Sequence, residues 1–195
     1  MPPRKHQELL TAAVARERSG QEALIAGDVD VARAAFADAA QLYRQSWEAA
    51  HPTAYGRLVG MQKAGVLAGG GTAEAAYARA ALVDAGQAGA DSPTASYVRA
   101  LAALILGEDE EAQGWSASMG AGGDAFARTA EAIAGLAARD EARYAVALRA
   151  IIGDFEERAQ HLTGVAIADT ALVLCALAAR RGIVVALESP VLPAF

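Results

Sequence analysis

Between Asp28 and Ala50 the residues Ala32, Phe36, Ala39, Tyr43 and Trp47 recur at three- and four-residue steps. That spacing puts them on one face of a helix. Breaks in the pattern mark where such helices stop. A first helix over 6–26 closes at Gly27, which takes a left-handed C′ position without a Cβ clash. Asp28 then caps a second helix, which runs to about Ala50 and is broken by His51-Pro52-Thr53. A third spans 54–68 and ends at Gly69-Gly70-Gly71, and Thr72 caps a fourth reaching about Ala85. After a loop over 86–91, Ser92-Pro93 is an N-cap followed by a first-turn proline. The fifth helix ends at Gly107, and Glu108 to Glu111 open the sixth, where acids suit the helix dipole. Gly120 to Gly123 stop it, Asp124 caps a seventh, Asp140 an eighth, and a last long helix covers 162–181. The chain reads as all-α.

The joints are short, so successive helices form hairpins, over 6–50, 53–86, 92–119 and 124–153, before the last helix and tail at 162–195. Residues 13–46 resemble the tetratricopeptide motif, with Gly20 in the first helix, Gly27 at the turn, and Ala32, Phe36 and Ala39 on the second. The turn glycines Gly70 and Gly107 follow at intervals of 43 and 37 residues, against a motif period of about 34. Ala76/Ala80/Val83 and Ala112/Ser116/Met119 echo the second-helix positions, while Arg139-Asp140 replaces a turn glycine between the seventh and eighth helices. The expected fold is a single tetratricopeptide-like α-α superhelix over 1–195. Beyond Gly182, Ile183 to Leu187 and two prolines predict a short extended C-terminal tail packed on the last hairpins, with one or two strand-like pairings at most.

Composition agrees with helices: 54% of residues are apolar but only 6% aromatic, and alanine dominates. A net charge of -6 disfavours a nucleic-acid partner, which calls for a basic face. It suits a basic protein partner. Cys175 is the single cysteine, flanked by apolar residues, and is expected in the core. Met1 to Glu8 has charges without an apolar run behind them, and the nearly apolar stretch from Val165 to Ala179 is interrupted by Asp169 and Thr170. No signal peptide, no membrane span and a cytoplasmic location are therefore expected.

No nucleophile elbow, phosphate loop, zinc-ligand pattern or dinucleotide fingerprint is present, so no enzyme and no cofactor are expected. Asp154, Glu157 and His161 would share a face if their helix ran unbroken, and could then serve a proton relay or half a metal site. A solvated ion-pair face at a helix end accounts for them more simply, and no metal is expected. The acids at 108–111 offer either dipole compensation or a docking patch for a basic partner.

From Tyr144 onward, the alanine- and leucine-rich helix ending at Arg180-Arg181-Gly182, the short β-like run and Ser189-Pro190-Val191-Leu192-Pro193 resemble the C-terminal layout of the immunity protein 49 family. Those proteins are α-helical antidotes of bacterial polymorphic-toxin systems. The resemblance implies binding and neutralising a cognate toxin, for which the acidity would suit a basic nuclease. The alternatives are a general tetratricopeptide-like adaptor or regulator, and a metal- or ligand-binding helical bundle. In tetratricopeptide arrays the first helix of each hairpin lines the groove. Carried onto this chain, that places protein-binding contacts at Glu17, Gln21, Met61 and Tyr97. Tyr97 is the expected anchor, because tyrosine offers wide contact with little entropy to lose.

Overall fold

A computed structural model describes residues 4–84 and 92–193. Nine α-helices run through them: α1 (Lys5–Ile25), α2 (Val29–Glu48), α3 (Gly56–Leu67), α4 (Thr72–Asp84), α5 (Pro93–Leu106), α6 (Asp109–Ala117), α7 (Asp124–Ala137), α8 (Glu141–Glu156) and α9 (Asp169–Ala179). The caps explain the boundaries. The Asp28, Ser92 and Asp140 side chains accept hydrogen bonds from the backbone N–H groups of Val31, Ala95 and Arg143. Thr72 and Asp124, expected as caps, are instead the first residues of α4 and α7. At the α7–α8 joint Arg139 takes the left-handed conformation, with φ 56°, that glycine supplies elsewhere. The loop expected over 86–91 lies outside the described residues.

Helices adjacent in sequence pack as hairpins, and the odd-numbered ones from α3 onward also meet one another: α3 packs on α5, α5 on α7, α7 on α9, and α9 returns to α3. The inner layer of the superhelix therefore closes on itself. Close approach within the hairpins depends on missing side chains. A Cβ at Gly20 of α1 would stand 3.0 Å from the Phe36 ring, and one at Gly60 of α3 would stand 2.8 Å from the Tyr43 ring. The aromatic stripe of α2 is thus seated in both of its neighbours, and Phe36 is fully buried. In the α7–α8 hairpin a Cβ at Gly135 would come within 2.8 Å of the Tyr144 backbone nitrogen.

The chain departs from expectation after α8. The helix expected over 162–181 begins only at Asp169. Residues 157–168 are irregular, with Gly164 left-handed at φ 78°. The Thr163 hydroxyl, buried here, donates to Gln21 Oε1 of α1 and ties this segment across the open end of the superhelix. The tail is extended and packed, as expected, with Ile183 and Val191 buried. It forms no strand among the described residues; one backbone bond, Ala168 N–H to the Val191 carbonyl at 2.7 Å, fixes its end. No helix among the described residues is long and apolar enough to cross a membrane.

The two kinds of helical glycine should respond oppositely to alanine. Gly135→Ala should destabilise the fold by about 1–3 kcal/mol, because backbone cannot yield to the new methyl. Gly114→Ala, in α6 with nothing within 4 Å of its would-be Cβ, should stabilise by up to about 1 kcal/mol. Urea unfolding of both variants checks this; equal effects would mean that α7 and α8 do not approach as closely as described.

Candidate functional site

Closure of the inner layer leaves a cavity of about 240 Å³ between the odd helices and the 157–168 segment. Glu17 and Gln21 lie one turn apart on α1 and reach it from one side. Lys63 enters from α3, Tyr97 from α5, Phe126, Arg128 and Thr129 from α7, and Asp169 and Thr170 from the first turn of α9. The end of α8 adds Ile151, Asp154 and Phe155, and the segment beyond it adds Arg158, His161 and Val165.

Three of the four residues expected on the inner surface therefore converge here: Glu17, Gln21 and Tyr97. Met61 does not. It is 1% exposed and packed in the apolar cluster with Tyr43, Trp47 and Leu58. Lys63, two residues further and so on the far side of α3, occupies the inner position instead. Glu17 and Gln21 are themselves almost fully buried, so they serve the cavity and not an open groove. Tyr97 is half-buried, its ring edge-on to Phe126 with centroids 6.2 Å apart.

Two polar groups divide the lining. In the inner group Lys63 donates to the Asp169 carboxylate and, at 3.1 Å, to the Thr170 hydroxyl. Glu17 accepts from the Tyr43 hydroxyl at 2.6 Å. Burial, reinforced by the nearby Asp169 carboxylate, holds the Glu17 carboxyl above the usual carboxylate range, although Lys63 and Tyr43 act the other way. Burial works to lower the Lys63 ammonium, but Asp169, Tyr97 and Glu17 outweigh it and raise it. Burial likewise pushes the Tyr97 phenol up.

The outer group centres on Asp154. Arg128 Nη2 donates to its Oδ1 at 2.5 Å, and Arg158 donates to its Oδ2 through Nη2 at 2.5 Å and Nε at 3.0 Å. The Arg158 guanidinium lies 3.7 Å from the Phe155 ring centroid, and the His161 ring lies 6.1 Å from the same ring. The shared helical face of Asp154, Glu157 and His161 does not form, because α8 ends at Glu156. Asp154 joins the arginines, Glu157 is exposed, and His161 turns back over Phe155. Among the described residues no three His, Cys, Asp or Glu side chains are grouped as a metal ion requires.

The other sequence candidates lie elsewhere. Glu108 and Glu111 both accept from Arg79, and Asp109 accepts from Arg181, so most of the acidic run is engaged within the chain. Cys175 is half-buried; burial pushes its thiol up, contrary to an activated nucleophile, with a smaller opposing effect from the Tyr144 hydroxyl.

Lys63 and Asp169 escaped the sequence reading as a pair because 106 residues separate them. A trace was present in the way Asp169 and Thr170 interrupt an otherwise apolar run. Comparison with family models, curated proteins and solved structures gives no match to this chain.

The raised Glu17 carboxyl sets a pH dependence. Between its ordinary value of 4.5 and its higher folded value, the folded chain holds a proton the unfolded chain has lost. Stability falls as pH rises through that window. Glu17→Gln keeps an acceptor for Tyr43 and abolishes the ionisation. It should be more stable than the parent near pH 7 and lose that advantage below about pH 4.5, read from urea midpoints at both values. A variant less stable at neutral pH would mean that Glu17 is held charged.

Proposed function

We propose that this protein acts by binding, without covalent chemistry, and that its recognition site is the partly open cavity between the odd-numbered helices, the end of α8 and the 157–168 segment. The observation that carries this reading is convergence: helices spread over the whole chain bring donors, acceptors and an apolar wall to one cavity. A concave site that is largely apolar with a few placed polar groups is the usual form of a ligand site. The carboxylates there are already held: Asp169 by Lys63, Asp154 by two arginines, Glu17 by Tyr43. That arrangement suits recognition better than proton transfer. At about 240 Å³ the space suits a small molecule, and the tie between Gln21 and Thr163 blocks passage of an extended peptide.

A second reading is neutralisation of a toxin, as an immunity protein would perform. It draws on the C-terminal layout and the net charge of -6. Its contact would lie on the outer surface, since a protein partner does not fit the cavity. A toxin gene beside this one, and a stable complex of the two products, would favour it; a general adaptor would show neither.

A thermal-shift screen of small polar metabolites tests the cavity reading, using the parent and Val165→Trp, which fills the space. A ligand at one hundred times its Kd stabilises by about 2.7 kcal/mol. For a chain of this size each kcal/mol raises Tm by roughly 2–4 °C. The expected result is a shift of several degrees in the parent and none in the variant. Equal shifts in both would place binding elsewhere.

A further inference from the structure

The cavity is not evenly polar, and its imbalance identifies a ligand class. Lys63 and Asp169 lie deep, with side chains 13% and 14% exposed, and satisfy each other. Arg128 and Arg158 stand nearer the solvent, at 30% and 37%, and share a single carboxylate, Asp154. Two guanidinium groups against one carboxylate leave one positive charge over. Each guanidinium carries five N–H donors in a planar fork. Among the described residues Arg128 donates to Asp154 only through Nη2, so much of its fork remains for another acceptor.

An apolar surface adjoins this charge. Phe155 lies under Arg158, and Ile151 and Val165 continue the wall. The buried Nδ1 of His161, against the same Phe155 ring, has no partner within the described chain. Buried polar atoms are rarely left so unless something else supplies the bond.

We propose that the outer part of the cavity binds a small amphipathic monocarboxylate, its carboxylate on Arg128 and Arg158 and its apolar body against Phe155, Ile151 and Val165. A monoanion matches the single surplus charge of the outer arginine pair; a dianion would bring one negative charge too many into a cavity already lined by Glu17, Asp154 and Asp169. A short acyl or phenylalkyl body suits a cavity of about 240 Å³, of which the ligand would take the outer part. Asp154 is then an internal competitor that holds the arginine pair in place until the ligand arrives. This inference rests on the cavity reading above and adds the chemistry of the ligand.

Calorimetric titration of the full chain with hexanoate, 4-phenylbutanoate, hexanamide and hexyl phosphate tests it, with circular dichroism melts confirming that each variant folds. Hexanoate or 4-phenylbutanoate should bind with Kd on the order of 1 mM or tighter. Hexanamide should bind at least about tenfold more weakly, since charge-assisted bonds are roughly twice as strong as neutral ones. Arg128→Gln, or Arg158→Gln if the first fails to fold, should weaken hexanoate about tenfold. Asp154→Asn should tighten it severalfold by releasing both arginines, an effect that a purely structural ion pair would not produce. Hexanamide binding as well as hexanoate, hexyl phosphate binding more tightly than either acid, or no binding by either acid would overturn the carboxylate assignment. The cavity reading fails separately, if ligands from the screen bind Val165→Trp as well as the parent.

Discussion

This superhelix closes where α9 returns to α3: the apolar residues of α9 are buried, and its first turn brings Asp169 to Lys63 in a part-buried ion pair. Tetratricopeptide-like hairpins stack through local contacts, and local contacts alone leave an open spiral. Here the last helix returns to the second hairpin, and its first turn carries Asp169 to Lys63. Burying two charges costs several kcal/mol each, so the pair must be well matched and further hydrogen-bonded to hold. Thr170 supplies one such bond. This contact and the Gln21–Thr163 bond both lie in the lining of the cavity, alongside the apolar packing of α9.

The local architecture was legible because it is written in short-range signals. Gly27, Asp28, Ser92-Pro93, Gly107 and Asp140 each act within one turn of their own position, and the structure uses them all. The stripe from Ala32 to Trp47 identified the face of α2 that fills the glycine notches of α1 and α3. Apart from the cap positions at Thr72 and Asp124, which fall one residue inside their helices, the departures are non-local. The sequence predicts the start of α9 seven residues too early, because Leu162-Thr163-Gly164 has no proline to mark the break. At the break Gly164 is left-handed and Thr163 bonds to Gln21, 142 residues away. The tetratricopeptide register puts Met61 on the inner surface, whereas Met61 is buried in the apolar cluster with Tyr43 and Leu58. A shift of two residues turns a helix by about 200°, and so exchanges Met61 for Lys63.

The candidate site shows the same division. Glu17, Gln21 and Tyr97 could be found from the rule that first helices face inward. Their setting could not: whether the interior is an open groove or an enclosed cavity depends on the return of the chain after α8. That return changes the size of partner the interior can hold, from an extended peptide to a small molecule. It also gives Asp154 and His161 different parts from those their sequence spacing implied, Asp154 between two arginines and His161 against Phe155.

The part of the Lys63–Asp169 contact in holding α9 to α3 is open to direct measurement by a double-mutant cycle in urea, using Lys63→Met, Asp169→Asn and the two together. Breaking a buried pair from either side should cost about 3–5 kcal/mol, because the remaining charge is left uncompensated. The double variant leaves no such charge, so its loss should fall short of the sum by about 2 kcal/mol or more. Losses that add to within about 0.5 kcal/mol would show that the two side chains do not act on each other and that the ion pair is not part of what holds α9 to α3.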